Sequence, residues 1–220
     1  MAKWIGEYIP NNIETYVEVF GGAFWVYING DVHEKPKLKE VIYNDFNRYM
    51  ANFFECCRTP EEFHKYMIDL KSQDEKLFYK FQKEIFKNKD ISKIELGDFE
   101  FGEKYAYIMT QVFSGLNAEK AKFIDLKGKY KSKFDSFRGR LMNPKFIKKL
   151  RKITKCENLS YEQIIKKYDS STKVIVGPLF NYQWDKILNE YIEEYPFIKK
   201  LVASDAAVGL IISTFANRSL

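Results

Sequence analysis

The chain has 220 residues, enough for one substantial core with a smaller lobe. With 45% hydrophobic and 17% aromatic residues it is too apolar to be a solvated, disordered tail. Its net charge of +6 hides an asymmetry: Lys120 to Lys155 holds fourteen Lys/Arg against two acids, a net +12, which leaves −6 for the remainder.

That asymmetry suits a face that binds a polyanion, and equally a solvated lysine-rich surface. The most apolar stretch, "AAVGLIISTF", is far shorter than the roughly 20 residues a membrane span needs, and no charged segment leads into an apolar one at the N-terminus. A soluble, cytoplasmic protein with no membrane partner is expected. Cys56, Cys57 and Cys156 have no C-x-x-C spacing, so free buried thiols are expected and no metal site. His33 and His64 are the only histidines and are expected on the surface or in loops, which leaves histidine-based catalysis poorly supplied.

In chain order, Tyr16–Phe20 has the β-branched and aromatic make-up of a strand, Gly21-Gly22 permits a tight turn, and a helix is expected from about Ala23. A second strand is predicted over Glu40–Asp45. A helix follows it, with Phe46, Tyr49, Met50, Phe53 and Phe54 as its apolar stripe. Pro60 to Lys89 reads as charged helix, and residues 103–113 as a buried helix. Asn117 to Arg140 loses its period and is expected to be an irregular insertion or β-ribbon. "NPKFIKKLRKI" restores a helix with Pro144 in its first turn. "CENLSYEQIIKKYD" then predicts a turn and a short helix capped by Ser160, with Gln163 three residues on. A strand at 173–176 stops at Gly177-Pro178. Beyond it, residues 181–201 read as an amphipathic helix in which Tyr182 and Trp184 are packing residues, and residues 201–215 as further core.

Strand, glycines, helix and then Asp45 at the end of the next strand, 23 residues past Gly22, is the order in which an α/β fold builds an adenosine site. The glycines let backbone approach the ligand, and the carboxylate accepts from two ribose hydroxyls.

Four ordered strings, "YVEVFGGAFWVYI" (16–28), "VIYNDFNRYMANFFECC" (41–57), "YAYIMTQVFSGL" (105–116) and the basic run at 129–170, resemble the Dam-like DNA adenine methyltransferases, especially their phage and bacterial branch. The resemblance covers roughly residues 3–173. It implies an α/β, Rossmann-like S-adenosylmethionine-dependent methyltransferase core over residues 1–57 and 151–220, with a small basic, mainly helical target-recognition lobe over 58–150. Phe20, Gly21 and Gly22 match the family's S-adenosylmethionine loop. Asp45, in an Asn-Asp-x-Asn pattern with Asn44 and Asn47, matches its ribose-binding acid. Phe113-Ser114-Gly115 and the basic segment after it match the region that lies against double-stranded DNA, so Lys129, Lys131, Lys133, Arg138 and Arg140 are the expected DNA contacts.

The sequence departs from the family pattern in three places. Members usually begin with a Tyr-x-Gly-Gly-Lys segment that touches the cofactor, whereas this chain opens "MAKWIGEYIP", so that half of the cofactor site is expected to be missing. Phe24 stands where the family often has a small residue and is expected to fill cofactor space. The strand after "KKYDS" should end in Asp-Pro-Pro-Tyr and reads Gly177, Pro178, Leu179, Phe180 instead. In the family that motif stacks a flipped adenine on its aromatic residue, while the aspartate and a proline carbonyl accept hydrogen bonds from the amino group. Gly177 offers no side-chain acceptor. Weak or absent cofactor binding and lost or weakened catalysis are expected, in a DNA-binding pseudoenzyme or a partner of an active methyltransferase. Two alternatives stand beside this: an active enzyme drawing its acceptor from Asp169 or Asp185, and a structural protein whose basic face binds RNA or an acidic partner.

Overall fold

A computed structural model describes residues 2–88, 90–112, 118–126 and 132–168, together with the backbone of residues 173–179 and 208–213. The chain divides into two compact units, residues 1–46 with 152–220 and residues 47–151.

The first unit is built on a sheet of five strands, β1 (Thr15–Glu18), β2 (Glu40–Asn44), β3 (Lys155–Glu157), β4 (Lys173–Leu179) and β5 (Val208–Ser213), in the order β3-β2-β1-β4-β5. The first four run parallel and β5 pairs antiparallel with β4, which makes this an α/β fold. All four residues of β1 and four of five in β2 are buried, the pattern of parallel strands covered on both faces. Helices α1 (Ala2–Tyr8) and α2 (Trp25–Asn29) pack on one another, and a 3-10 turn (Val32–Glu34) in the connection to β2 carries His33, with its side chain buried. β3 lies where the sequence suggested only a turn. Three residues carry too little pattern to announce a strand, and pairing with the edge of β2 creates it. The following helix, α9 (Tyr161–Tyr168), begins with the expected reciprocal cap: Gln163 N donates to Ser160 Oγ and Ser160 N to Gln163 Oε1.

The second unit is helical: α3 (Arg48–Cys57), α4 (Pro60–Met67), α5 (Glu75–Lys83), a π-helical stretch (Glu84–Asn88), α6 (Phe99–Met109), α7 (Lys133–Leu141) and α8 (Pro144–Leu150). Helix α3, expected with the sheet, clusters here because Tyr49 stacks on Phe101 and Tyr105 of α6, both at 5.5 Å. Residues 132–141 correct the β-ribbon expectation. Ser132 Oγ accepts from the amides of Phe134 and Asp135 and starts a helix whose Phe134 and Leu141 are buried. A cap at one residue specified this helix, in a stretch whose lysines and glycine masked the period. Cys56, Cys57 and Cys156 are free and buried, and burial pushes the thiols of Cys56 and Cys57 up, so they stay protonated and unreactive. Among the described residues no helix is long and apolar enough to cross a membrane.

Candidate functional site

β1 is flanked by β2 on one side and β4 on the other, so the chain reverses its direction of travel across the sheet at this strand. In an open parallel sheet this switch point, at the carboxyl ends of the strands, is where ligands bind. The loop Phe20-Gly21-Gly22 lies there. Gly21 N donates to Asn44 O at 2.7 Å, Gly22 N to Asp45 Oδ2 at 2.7 Å, and Tyr43 Oη to Gly22 O at 2.9 Å. The glycine loop and the tip of β2 are thus laced together by hydrogen bonds.

Both glycines are required by geometry. A Cβ on Gly21 would fall 2.2 Å from the Tyr43 ring, and Gly22 has φ +46°. Phe24 also adopts a left-handed conformation, φ 54°, which costs a non-glycine residue about 1–2 kcal/mol. Burial holds it there. Its ring is fully buried, stacked on Tyr27 at 4.6 Å and edge-on to Tyr43 at 5.0 Å.

Each residue of the Asn-Asp-x-Asn pattern has a distinct job. Asn44 Nδ2 donates to Val19 O and Leu159 O, and its Oδ1 accepts from Leu159 N, which ties β1, β2 and the turn after β3 together. Asp45 holds the glycine loop, and Asn47 caps α3 by accepting from Tyr49 N at 3.0 Å. Between them Phe46, read in the sequence as part of a helix's apolar stripe, precedes α3 and is 80% exposed. Its carbonyl and that of Asp45 accept from Asn158 Nδ2 at 2.9 and 2.8 Å. An aromatic face beside a carboxylate at a strand tip suits a nucleoside, and its position next to the acid was the available signal. Phe20 stacks on Tyr161 at 6.1 Å.

Glu18, the last residue of β1, was also missed. Its Oε2 accepts from Tyr16 Oη at 2.7 Å and from Tyr27 N at 3.2 Å, and its Oε1 has no partner among the described residues. Burial pushes its pKa up to about 8, against the lowering effect of the Tyr16 and α2 backbone hydrogen bonds, so the carboxyl is protonated at neutral pH.

Register places the fourth strand. Val176 is level with Glu18, so Gly177 lies one residue further along β4, past the last residue of β1, and Gly177, Pro178 and Leu179 pair with Leu210, Gly209 and Val208 of β5. Pro178 lies beyond the residues paired with β1, where a missing amide is tolerated. Phe180, Asp169, Asp185, Tyr182 and Trp184 lie outside the described residues.

Within the helical unit the expected DNA contacts separate. Lys133 and Arg140 are exposed and, seven residues apart, share a face of α7. Lys145 and Lys148 are exposed three residues apart on α8. Among the described residues these four cations have no acidic partner. Arg138 points elsewhere: its Nη1 donates to the carbonyls of Met67 (2.8 Å), Ile68 (3.0 Å) and Leu70 (3.0 Å), its Nη2 pairs with Asp135, and it lies 4.9 Å over the Phe134 ring. It closes the C-terminus of α4. Lys129, Lys131 and Phe113-Ser114-Gly115 lie outside the described residues. Arg138→Ala removes the side-chain donor from three carbonyls, of which Met67 O keeps Leu70 N and Ile68 O can turn to water, and should lower stability in urea unfolding by about 1–3 kcal/mol, whereas Lys133→Ala and Arg140→Ala should each stay within about 0.5 kcal/mol of the parent. Equal, small effects of all three would remove the capping role.

No curated protein matches the chain. The family described as D12 class N6 adenine-specific DNA methyltransferase matches residues 1–175, a stretch that contains the glycine loop, Asp45 and the whole helical unit and stops two residues before Gly177. With the loop and acid joined at the switch point of an α/β sheet, and a match over more than half its length, the chain belongs to the D12 class N6 adenine-specific DNA methyltransferase family.

Proposed function

We propose that this member of the family binds double-stranded DNA through its helical, basic unit while its methyl transfer is lost or severely weakened, as a pseudoenzyme or the partner of an active methyltransferase. The observation that carries the reading is the end of β4. There the backbone of Gly177-Pro178-Leu179 runs past the last residue of β1 at the carboxyl edge of the sheet, one residue beyond the level of Glu18, with no side chain on residue 177. The amino nitrogen of adenine is a poor nucleophile and needs an acceptor at that place. Pro178 keeps a carbonyl; the carboxylate is gone.

Family membership implies S-adenosylmethionine in general, and the residues present fit an adenosine: Asp45 for ribose hydroxyls, Phe46 for the base, and glycine backbone for close approach. When bound, the cofactor supplies the electrophilic methyl group. We expect the affinity to be low, because Gly22 N is already spent on Asp45 and is not free to donate to a ligand, which leaves the carboxylate's remaining acceptor sites to hold the ribose. Calorimetric titration should show no binding at low micromolar concentration. Tight binding lost in Asp45→Ala would restore the enzyme reading.

DNA binding tests the other half. Each phosphate neutralised adds about −0.9 to the slope of log affinity against log salt, so contact with a few phosphates gives a slope steeper than about −2. Lys133→Glu with Arg140→Glu should flatten it. A flat titration in the parent, or an unchanged slope in the double variant, would take DNA off this face.

A further inference from the structure

Helices α5 and α6 flank an open cleft of about 690 Å³ that the proposed function does not use. Its walls are apolar, from Leu70, Leu77 and Phe81, and its charged lining comes from Lys80 and Glu84 on the α5 side and from Glu100, Glu103 and Lys104 on α6. The lysines are committed. Lys104 Nζ lies 2.9 Å from Glu84 Oε2 and 2.6 Å from Glu100 Oε1, and Lys80 Nζ lies 3.9 Å from Glu84 Oε1. Glu103 is left over. Its residue is 9% exposed, it lines the cleft, and it has no hydrogen-bond or ion-pair partner among the described residues.

The Glu103 carboxylate faces the cleft with solvent as its only partner, a place that a ligand's cation can take. At Glu84 the α-helix gives way to π-helix, a deviation frequent at functional sites.

We infer that this cleft binds an organic monocation with an apolar body, an alkyl- or arylammonium, whose charged head pairs with the Glu103 carboxylate. Two lysines against three acids leave one negative charge when Glu103 is ionised, which selects a single positive charge. The leucine and phenylalanine walls favour hydrocarbon over a hydrated metal ion. Among the described residues no group of three His, Cys, Asp or Glu is arranged to hold a metal. Burial pushes Glu103 up to about 7, against the pull of Lys104 and with a further push from Glu100, so the unliganded carboxyl is half protonated near neutrality. Binding the cation to the ionised form releases a proton.

The test is calorimetric titration of the full chain with benzylammonium chloride at pH 8.0 and 5.5, with benzyl alcohol as the uncharged analogue. Binding is expected at pH 8.0. It should weaken about 30-fold at pH 5.5, where about 3% of a group with a pKa near 7 is ionised. Benzyl alcohol should bind at least tenfold more weakly than the cation. Glu103→Gln should lose binding at pH 8.0 while melting like the parent, and Glu100→Gln should keep it. Equal affinity at the two pH values, equal affinity for the alcohol, absence of binding at millimolar cation, or binding retained in Glu103→Gln would each overturn the assignment. The pH and alcohol arms use the unaltered chain and decide the matter even if Glu103→Gln fails to fold.

Discussion

Unmethylated DNA incubated with the unaltered chain and labelled S-adenosylmethionine is expected to gain no more label than about one part in 100 to 1000 of what an acceptor-bearing site transfers, the cost of losing one preorganised hydrogen-bonding group. The triple variant Gly177→Asp, Leu179→Pro, Phe180→Tyr, which rebuilds Asp-Pro-Pro-Tyr, is expected to remain inactive and to melt below the parent. No cationic residue stands between Lys173 and Lys186, so the chain beside it supplies the new carboxylate with no pairing partner, and it is expected to be protonated or destabilising. The Gly22 amide in the cofactor loop still donates to Asp45. Defects within one site do not add independently, so correcting one need not recover the rate. Robust methylation by the parent would sink the pseudoenzyme reading, and methylation by the triple variant alone would show that this motif was the only loss.

Glu18 carries the largest expected effect on stability. Its folded-state pKa is about 8, well above the ordinary carboxylate value of 4.5. Below pH 4.5 both states hold the proton, and burial of the neutral acid carries no ionisation penalty. As pH rises from 4.5 towards 8 the unfolded chain releases the proton and the folded chain keeps it, so stability falls by about 1.4 kcal/mol per pH unit and then levels off. The whole loss is on the order of 5 kcal/mol. Glu18→Gln removes the titration while keeping a side-chain oxygen for Tyr16 Oη and Tyr27 N. The variant should therefore match the parent near pH 5 and exceed it near pH 8 by about 3–4 kcal/mol, or roughly ten degrees in melting temperature for a chain of this size. Parallel pH profiles for the two proteins would mean that Glu18 is ionised in the fold, or that its proton does not matter.

The second unit shows where a linear reading of charge stops. Fourteen basic residues in a 36-residue window are visible without a structure, yet Arg138 among them is bound to three backbone carbonyls while Lys133 and Arg140 on the same helix are exposed. All are cations in the same run. Which face of α7 turns inward depends on the exposed end of α4, some seventy residues earlier in the chain.

By itself the sequence announced strands at 16–20 and 40–45, which the structure forms at 15–18 and 40–44, the helix with Pro144 in its first turn, and the helix capped by Ser160. These rest on short-range physics: β-branched runs and caps three residues apart. Tertiary structure alone decided the rest. Phe46 became an exposed face and Phe24 a buried one, although both are phenylalanines beside a strand end, because burial is set by what packs opposite. β3 exists because β2 offers an edge, Ser132 starts a helix where charge had blurred the period, and Glu18 holds its proton because the sheet and α2 exclude water from it. Those outcomes depend on contacts between residues far apart in the chain, and no local pattern encodes them.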